Sequence, residues 1–145
     1  MILTTDITKA LVNSFKDDNN FSGWNVSRSE YVNEDHALCP WLGVYRQSID
    51  YSPETLGDGP DYWTATMVVR LIVQATNLNC GADCEDDLEG YVKKVMDKVV
   101  ADTTLGATID MVNDIKVSYS YVAEDEETIY FQAAIVELTL EVSTA

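Results

Sequence analysis

The stretch from Tyr62 to Thr76 constrains the fold more than any other part of the chain. Trp63, Ala65, Met67, Val69, Leu71, Val73 and Ala75 alternate with Tyr62, Thr64, Thr66, Val68, Arg70, Ile72 and Gln74. Successive side chains of a strand point to opposite faces. The pattern therefore predicts one long strand, apolar on one face and mixed on the other, placed centrally with its second face partly covered. An amphipathic helix over 83–101 follows, burying Leu88, Val92, Val95 and Val99 with Tyr91 and Met96 flanking. Asp83, Glu85, Asp86 and Asp87 crowd its start and Lys93, Lys94 and Lys98 its second half, which matches the helix dipole. Gly90 in its interior costs about 1 kcal/mol against alanine, so the position points to a close contact.

The remaining elements arrange themselves around this pair. Ile7, Ala10, Leu11, Ser14 and Phe15 recur with helical spacing, predicting a helix over 5–17 capped by Thr4, Thr5 or Asp6. Asp17, Asp18, Asn19 and Asn20 break it, because their side chains compete for backbone hydrogen bonds. Strands are expected over 24–32 and 38–46, with Pro40 near the start of the second. The segment 47–60, with Ser52-Pro53 and Gly57-Asp58-Gly59-Pro60, reads as a long loop. A closing hairpin covers 115–122 and 128–142. In its second strand the apolar set shifts from odd positions (Ile129, Phe131, Ala133, Ile135) to even ones (Val136, Leu138, Leu140, Val142). Either a bulge or a new packing partner accounts for that shift. The expected fold is α+β: a single domain of order α-β-β-β-α-β-β, with two helices packed on an antiparallel or mixed sheet.

At 145 residues the chain is long enough for one domain with a real core. Its 25 acidic and 9 basic residues give a formal net charge of −16. This disfavours phosphate-based nucleic-acid binding and anionic membranes, both of which need clustered Lys and Arg. It suits solubility, docking onto a basic partner, or a passage through which a polyanion slides without sticking. The start, Met1 to Asp6, has neither the basic flank nor the apolar run of a signal peptide. Cys39, Cys80 and Cys84, an odd number, read as free thiols in a reducing cytosol.

Candidate chemistry is sparse. The single histidine, His36, stands three residues before Cys39, with no orienting carboxylate or oxyanion site identifiable beside it. His36, Cys39, Cys80 and Cys84 together offer one imidazole and three thiolates, a donor set for tetrahedral zinc. The bland reading is three small buried or half-buried thiols. The acids at 83–87 are explained by a helix start and those at 124–127 by a solvated turn. No calcium loop or phosphate-cradling glycine loop is present. Trp24, Trp41, Trp63 and the eight tyrosines lack interleaved cations, so they read as core or protein interface rather than base-stacking platforms. No cofactor and no enzymatic activity are expected.

Several segments carry a family resemblance. They are Cys39-Pro-Trp-Leu-Gly-Val-Tyr45, the aromatic-led strand 62–74, the acidic-start helix 83–101, the turn Asp102-Thr-Thr-Leu-Gly106 and the closing hairpin. With them the chain resembles the tail terminators of long-tailed bacteriophages, minor tail proteins that cap the tail tube. The resemblance implies a hexameric ring that ends tube polymerisation and offers a surface to the head–tail connector. Its partners would be other copies of itself, the tail tube protein and the connector, with DNA passing through unbound. It implies a virion location after assembly in the host cytoplasm. Tyr51, Pro53, Asp58 and Asp61, and Glu124, Asp125, Glu126 and Glu127, are the candidate contacts to neighbouring rings. A head-completion or neck connector protein, and an acidic DNA mimic, stand as alternatives.

Overall fold

The structure, a computed structural model, describes residues 4–28, 40–55, 60–77, 81–104, 109–122 and 130–144. Helix α1 (Thr4–Lys16) is followed by a short 3-10 turn (Asn19–Phe21), then strands β1 (Asn25–Arg28), β2 (Trp41–Thr55) and β3 (Pro60–Asn77). Helix α2 (Gly81–Ala101) leads to β4 (Met111–Val122) and β5 (Tyr130–Thr144). The α-β-β-β-α-β-β order and the α+β class hold, with the small 3-10 turn as an addition. All five strands form one mixed sheet of order β1-β2-β3-β5-β4. Only β1 and β2 pair in parallel; the other neighbours are antiparallel.

The alternation in β3 does what its sequence dictates. Ala65, Met67, Val69, Leu71, Val73 and Ala75 are all buried on the helix-bearing face. Opposite them, Thr66 is exposed while Ile72 and Gln74 are buried, so the second face is covered only towards one end. Helix α1 packs on β1 and β2, and α2 packs on β3 and β5. Ile7, Leu11, Val12 and Phe15 from α1 and Leu88, Val92, Val95 and Val99 from α2 share one core with Leu42, Val44, Leu71 and Val136.

Where the two helices meet, aromatic rings stack edge to face in a chain. Phe15 meets Phe21 at 4.9 Å, Phe21 meets Trp24 at 4.8 Å, and Trp24 meets Tyr91 at 5.0 Å. Asp18 ends this run as the sequence predicts: its carboxylate accepts from the Asn20 backbone N–H at 2.9 Å. Its other oxygen accepts from Lys98 Nζ, also at 2.9 Å, and that ammonium lies 5.3 Å from the Phe15 ring centre. Lys98, with help from the Asn20 N–H, holds the Asp18 carboxyl below its ordinary value of 3.8. A lowered folded value stabilises the fold above the unfolded value, and that contribution disappears as pH falls through the folded one. Replacing Lys98 by Met keeps the stem over Phe15 and removes the charge. The loss of urea midpoint between pH 6 and pH 3 is expected to shrink in Lys98→Met; an unchanged loss contradicts this role.

Two expectations are corrected. The segment 47–60 is not a long loop: β2 runs through it to Thr55 and pairs with β3 as far as Thr55 opposite Pro60. The polar Ser52-Pro53 step lies beyond Val44, where no described strand pairs with the outer side of β2, so the N–H that proline lacks breaks no described ladder. The first predicted strand, 24–32, is present over Asn25–Arg28, and 29–32 lie outside the described residues. In β5 the register with β3 runs unbroken from Tyr130 to Thr144, so β5 has no bulge against β3. The even positions from Ala134 to Val142 face the helices, and Ala133 is buried on the opposite face beside Gln74. The apolar shift reports a strand buried on both faces at one end and on one face at the other.

Candidate assembly surface

The sequence-predicted chemical residues do not form a described site. Cys84 is fully buried in α2, and its Sγ donates to the Ala75 carbonyl at 3.5 Å. Burial raises its thiol pKa, and the nearby Asp87 charge adds to the effect. That thiol is held as a neutral core group rather than a thiolate ligand. His36, Cys39 and Cys80 lie outside the described residues. Among the described residues, no three His, Cys, Asp or Glu side chains group to hold a metal ion. No described helix is long and apolar enough to cross a membrane.

The sheet edges are more informative. Because β1 pairs only with Trp41–Val44, the far half of β2, Tyr45 to Thr55, has no described strand on its outer side. Strand β4 is the edge at the other end of the strand order. The two run in opposite directions, since β2 and β5 are both antiparallel to β3, and β4 is antiparallel to β5. Among the described residues, the large exposed apolar ones are Tyr51 (38%), Met111 (46%), Tyr119 (59%) and Val100 (61%). Three of the four stand on these edges, which a lone soluble domain blunts with charge, proline or covering loops.

Local sequence explains how each edge is shaped. In β4, Ile115 and Val117 pack partly against the core, and Tyr119 continues their row out from under α2. Tyr119 lies opposite Ala134 and Tyr51 opposite Ala65, so both tyrosines sit on the helix-bearing side. A bulge at Asn113 shifts the β4 register, and the Asn113 amide donates to Glu141 Oε2 at 3.3 Å. The opposite face carries a polar row across four strands: Tyr45, Arg70, Glu137 and Lys116. Arg70 Nε donates to Glu137 Oε2 at 3.0 Å and Nη1 to the Tyr45 hydroxyl at 3.4 Å. These bonds, the one to Tyr45 first, raise the guanidinium pKa further, so Arg70 stays charged.

The predicted contacts that are described, Tyr51, Pro53 and Asp61, lie towards the Pro60 end of the β2–β3 pair. Tyr51 is exposed on the β2 edge, Pro53 pairs with Trp63, and Asp61 lies in β3 where the hairpin register shifts. Asp58 and Glu124, Asp125, Glu126 and Glu127 lie outside the described residues. Val122 and Tyr130, which bracket 123–129, lie at the Asn77 end of β3. The β2–β3 hairpin closes at the Pro60 end. The 18 residues of β3 separate these ends by about 55 Å at ~3.3 Å per residue. Met111 and Tyr119 escaped the sequence reading, although the alternation of Val117, Tyr119 and Tyr121 carried the signal. Compared with protein-family models and with curated protein sequences, the chain matches none.

Proposed function

We propose that this chain is a structural assembly protein, a tail terminator of a long-tailed bacteriophage, whose copies join in a ring that caps the tail tube. The observation that carries this reading is the pair of sheet margins, the far half of β2 and all of β4, that no described strand covers, antiparallel to each other and with exposed tyrosines on one side of the sheet. Joining the β4 edge of one copy to the β2 edge of the next extends the sheet by main-chain hydrogen bonds. Such head-to-tail contacts close into a ring when the rotation permits. The long axis of β3 then spans the ring from one end to the other. One end serves the tube and the other the head connector. The net charge of −16 suits a lumen that passes DNA, since negative walls repel phosphates. The role needs no cofactor.

Electron microscopy of the purified protein, alone and mixed with tail tubes, tests the proposal. Rings of about six subunits seated on tube ends are expected on the closed-symmetry argument and the family resemblance. Subunits that stay solitary and leave tube ends bare reject it. The same net charge also favours an acidic DNA mimic. That alternative predicts a monomer or dimer that binds basic DNA-binding proteins with steep salt dependence. A ring that binds the head connector but not the tube indicates a neck protein instead.

A further inference from the structure

Helix α2 carries a feature that its own fold does not use. Gly90 lies on the exposed side of the helix, and a Cβ built there would meet nothing within 4 Å. The close contact expected of an interior helical glycine is therefore absent within the described subunit. The exposed i±4 ridge through Gly90 runs Ala82, Asp86, Gly90 and Lys94. Its charges are split about the glycine, with Asp86 one turn before and Lys94 one turn after. The other lysines of this region are engaged: Lys93 pairs with Asp97 at 2.7 Å and Lys98 with Asp18 at 2.9 Å. Lys94 and Asp86 make no ion pair among the described residues. Lys94 also lines an open cleft of about 480 Å³ between α2 and the end of α1, whose other charged residues are Asp18, Asp97, Lys98 and Asp102.

We propose that α2 packs antiparallel against α2 of a second copy, with the two helices crossing at Gly90. The charge order selects this arrangement. About a two-fold axis through Gly90, a residue four positions after the glycine faces one four positions before it. Lys94 of each copy then meets Asp86 of the other, twice. A parallel pair would instead set Lys94 against Lys94 and Asp86 against Asp86. Helices packed ridge to ridge on their i±4 rows cross at about 50°, and the missing Cβ lets the backbones approach at that point. By the level of Asp97 and Asp83 the axes have diverged, which limits repulsion between those carboxylates. A two-fold contact cannot repeat around a simple ring. It would join two rings back to back, or two subunits not yet in a ring, and it stands independently of the tail-terminator reading.

Oxidative cross-linking tests it. Gly90→Cys, combined with Cys39→Ser and Cys80→Ser, is expected to cross-link between copies at 0.15 M salt. The rate should be at least about tenfold above that of Asn13→Cys on α1 in the same background, because only facing positions meet disulfide geometry. Adding Lys94→Glu or Asp86→Lys alone is expected to cut the rate about tenfold, since each reversal turns two attractive pairs into two repulsive ones. Combining both reversals should restore it. Circular dichroism melts of each variant verify that the subunit is folded, and all four positions are exposed. Equal rates at positions 90 and 13, or no response to either reversal, overturns the proposal. The readout does not depend on ring formation, so failure here and failure to cap tubes are separate results.

Discussion

Replacing Leu71 with alanine is expected to lower the unfolding free energy by about 2–5 kcal/mol. Leu71 sits at the middle of β3, between Val44 of β2 and Val136 of β5 in register, and all three are fully buried. Loss of its branched end removes transfer energy and leaves a hole under the helices that neighbouring strands cannot collapse to fill, since both ladders hold their spacing. A domain of this size has about 5–15 kcal/mol in total, so the loss is a large share of the whole. The midpoint of thermal unfolding should fall by roughly 10 °C at about 2–4 °C per kcal/mol. Urea titration with an unchanged slope verifies that the folded state itself is weakened. A loss under about 1 kcal/mol would contradict the placement of this side chain in the main core.

The second large effect is on assembly rather than on folding. Tyr119→Lys is expected to leave the subunit about as stable as before, within roughly 0.5 kcal/mol, because the ring stands out from the β4 edge. Ring formation and tube capping should nevertheless be lost. β4 already carries Lys116 on the face away from the helices, so the expected effect comes from placing a charge on the helix-bearing side, where the subunits are proposed to pack. The new ammonium would also have to be buried unpaired in the joined sheet. Microscopy of variant protein with tail tubes reads the outcome, with Ser118→Lys as the comparison on the opposite face of the same strand. Rings that form normally with Tyr119→Lys would remove β4 from the subunit contact and with it the main support for the proposed role.

The fold was legible where local pattern and long-range environment agree. The odd-numbered apolar row of β3 predicts its own burial, and the stripe Leu88, Val92, Val95, Val99 predicts the inward side of α2. Legibility failed where pairing decides the state of a segment. Ser52-Pro53 looks like a turn because proline cannot sit inside a sheet, yet it continues β2 at a position that no described strand pairs with on the outer side. The double burial of Ala133 depends on which strands lie beside β5, information that no window of sequence contains. The assembly surface was half visible for the same reason. Tyr51 and Pro53 were singled out, though as parts of a loop. The exposure of Tyr119 required knowing that β4 lies at the margin of the sheet.

The strand order also bears on how a newly made subunit matures. β5 is inserted between β3 and β4, although both precede it in the chain. While the polypeptide is still leaving the ribosome, β4 has no neighbour to lie against, and the flank of β3 stays open. The β4 margin therefore comes into being only after the inner place is filled, so under the proposed assembly the contact that needs β4 is closed to a nascent chain.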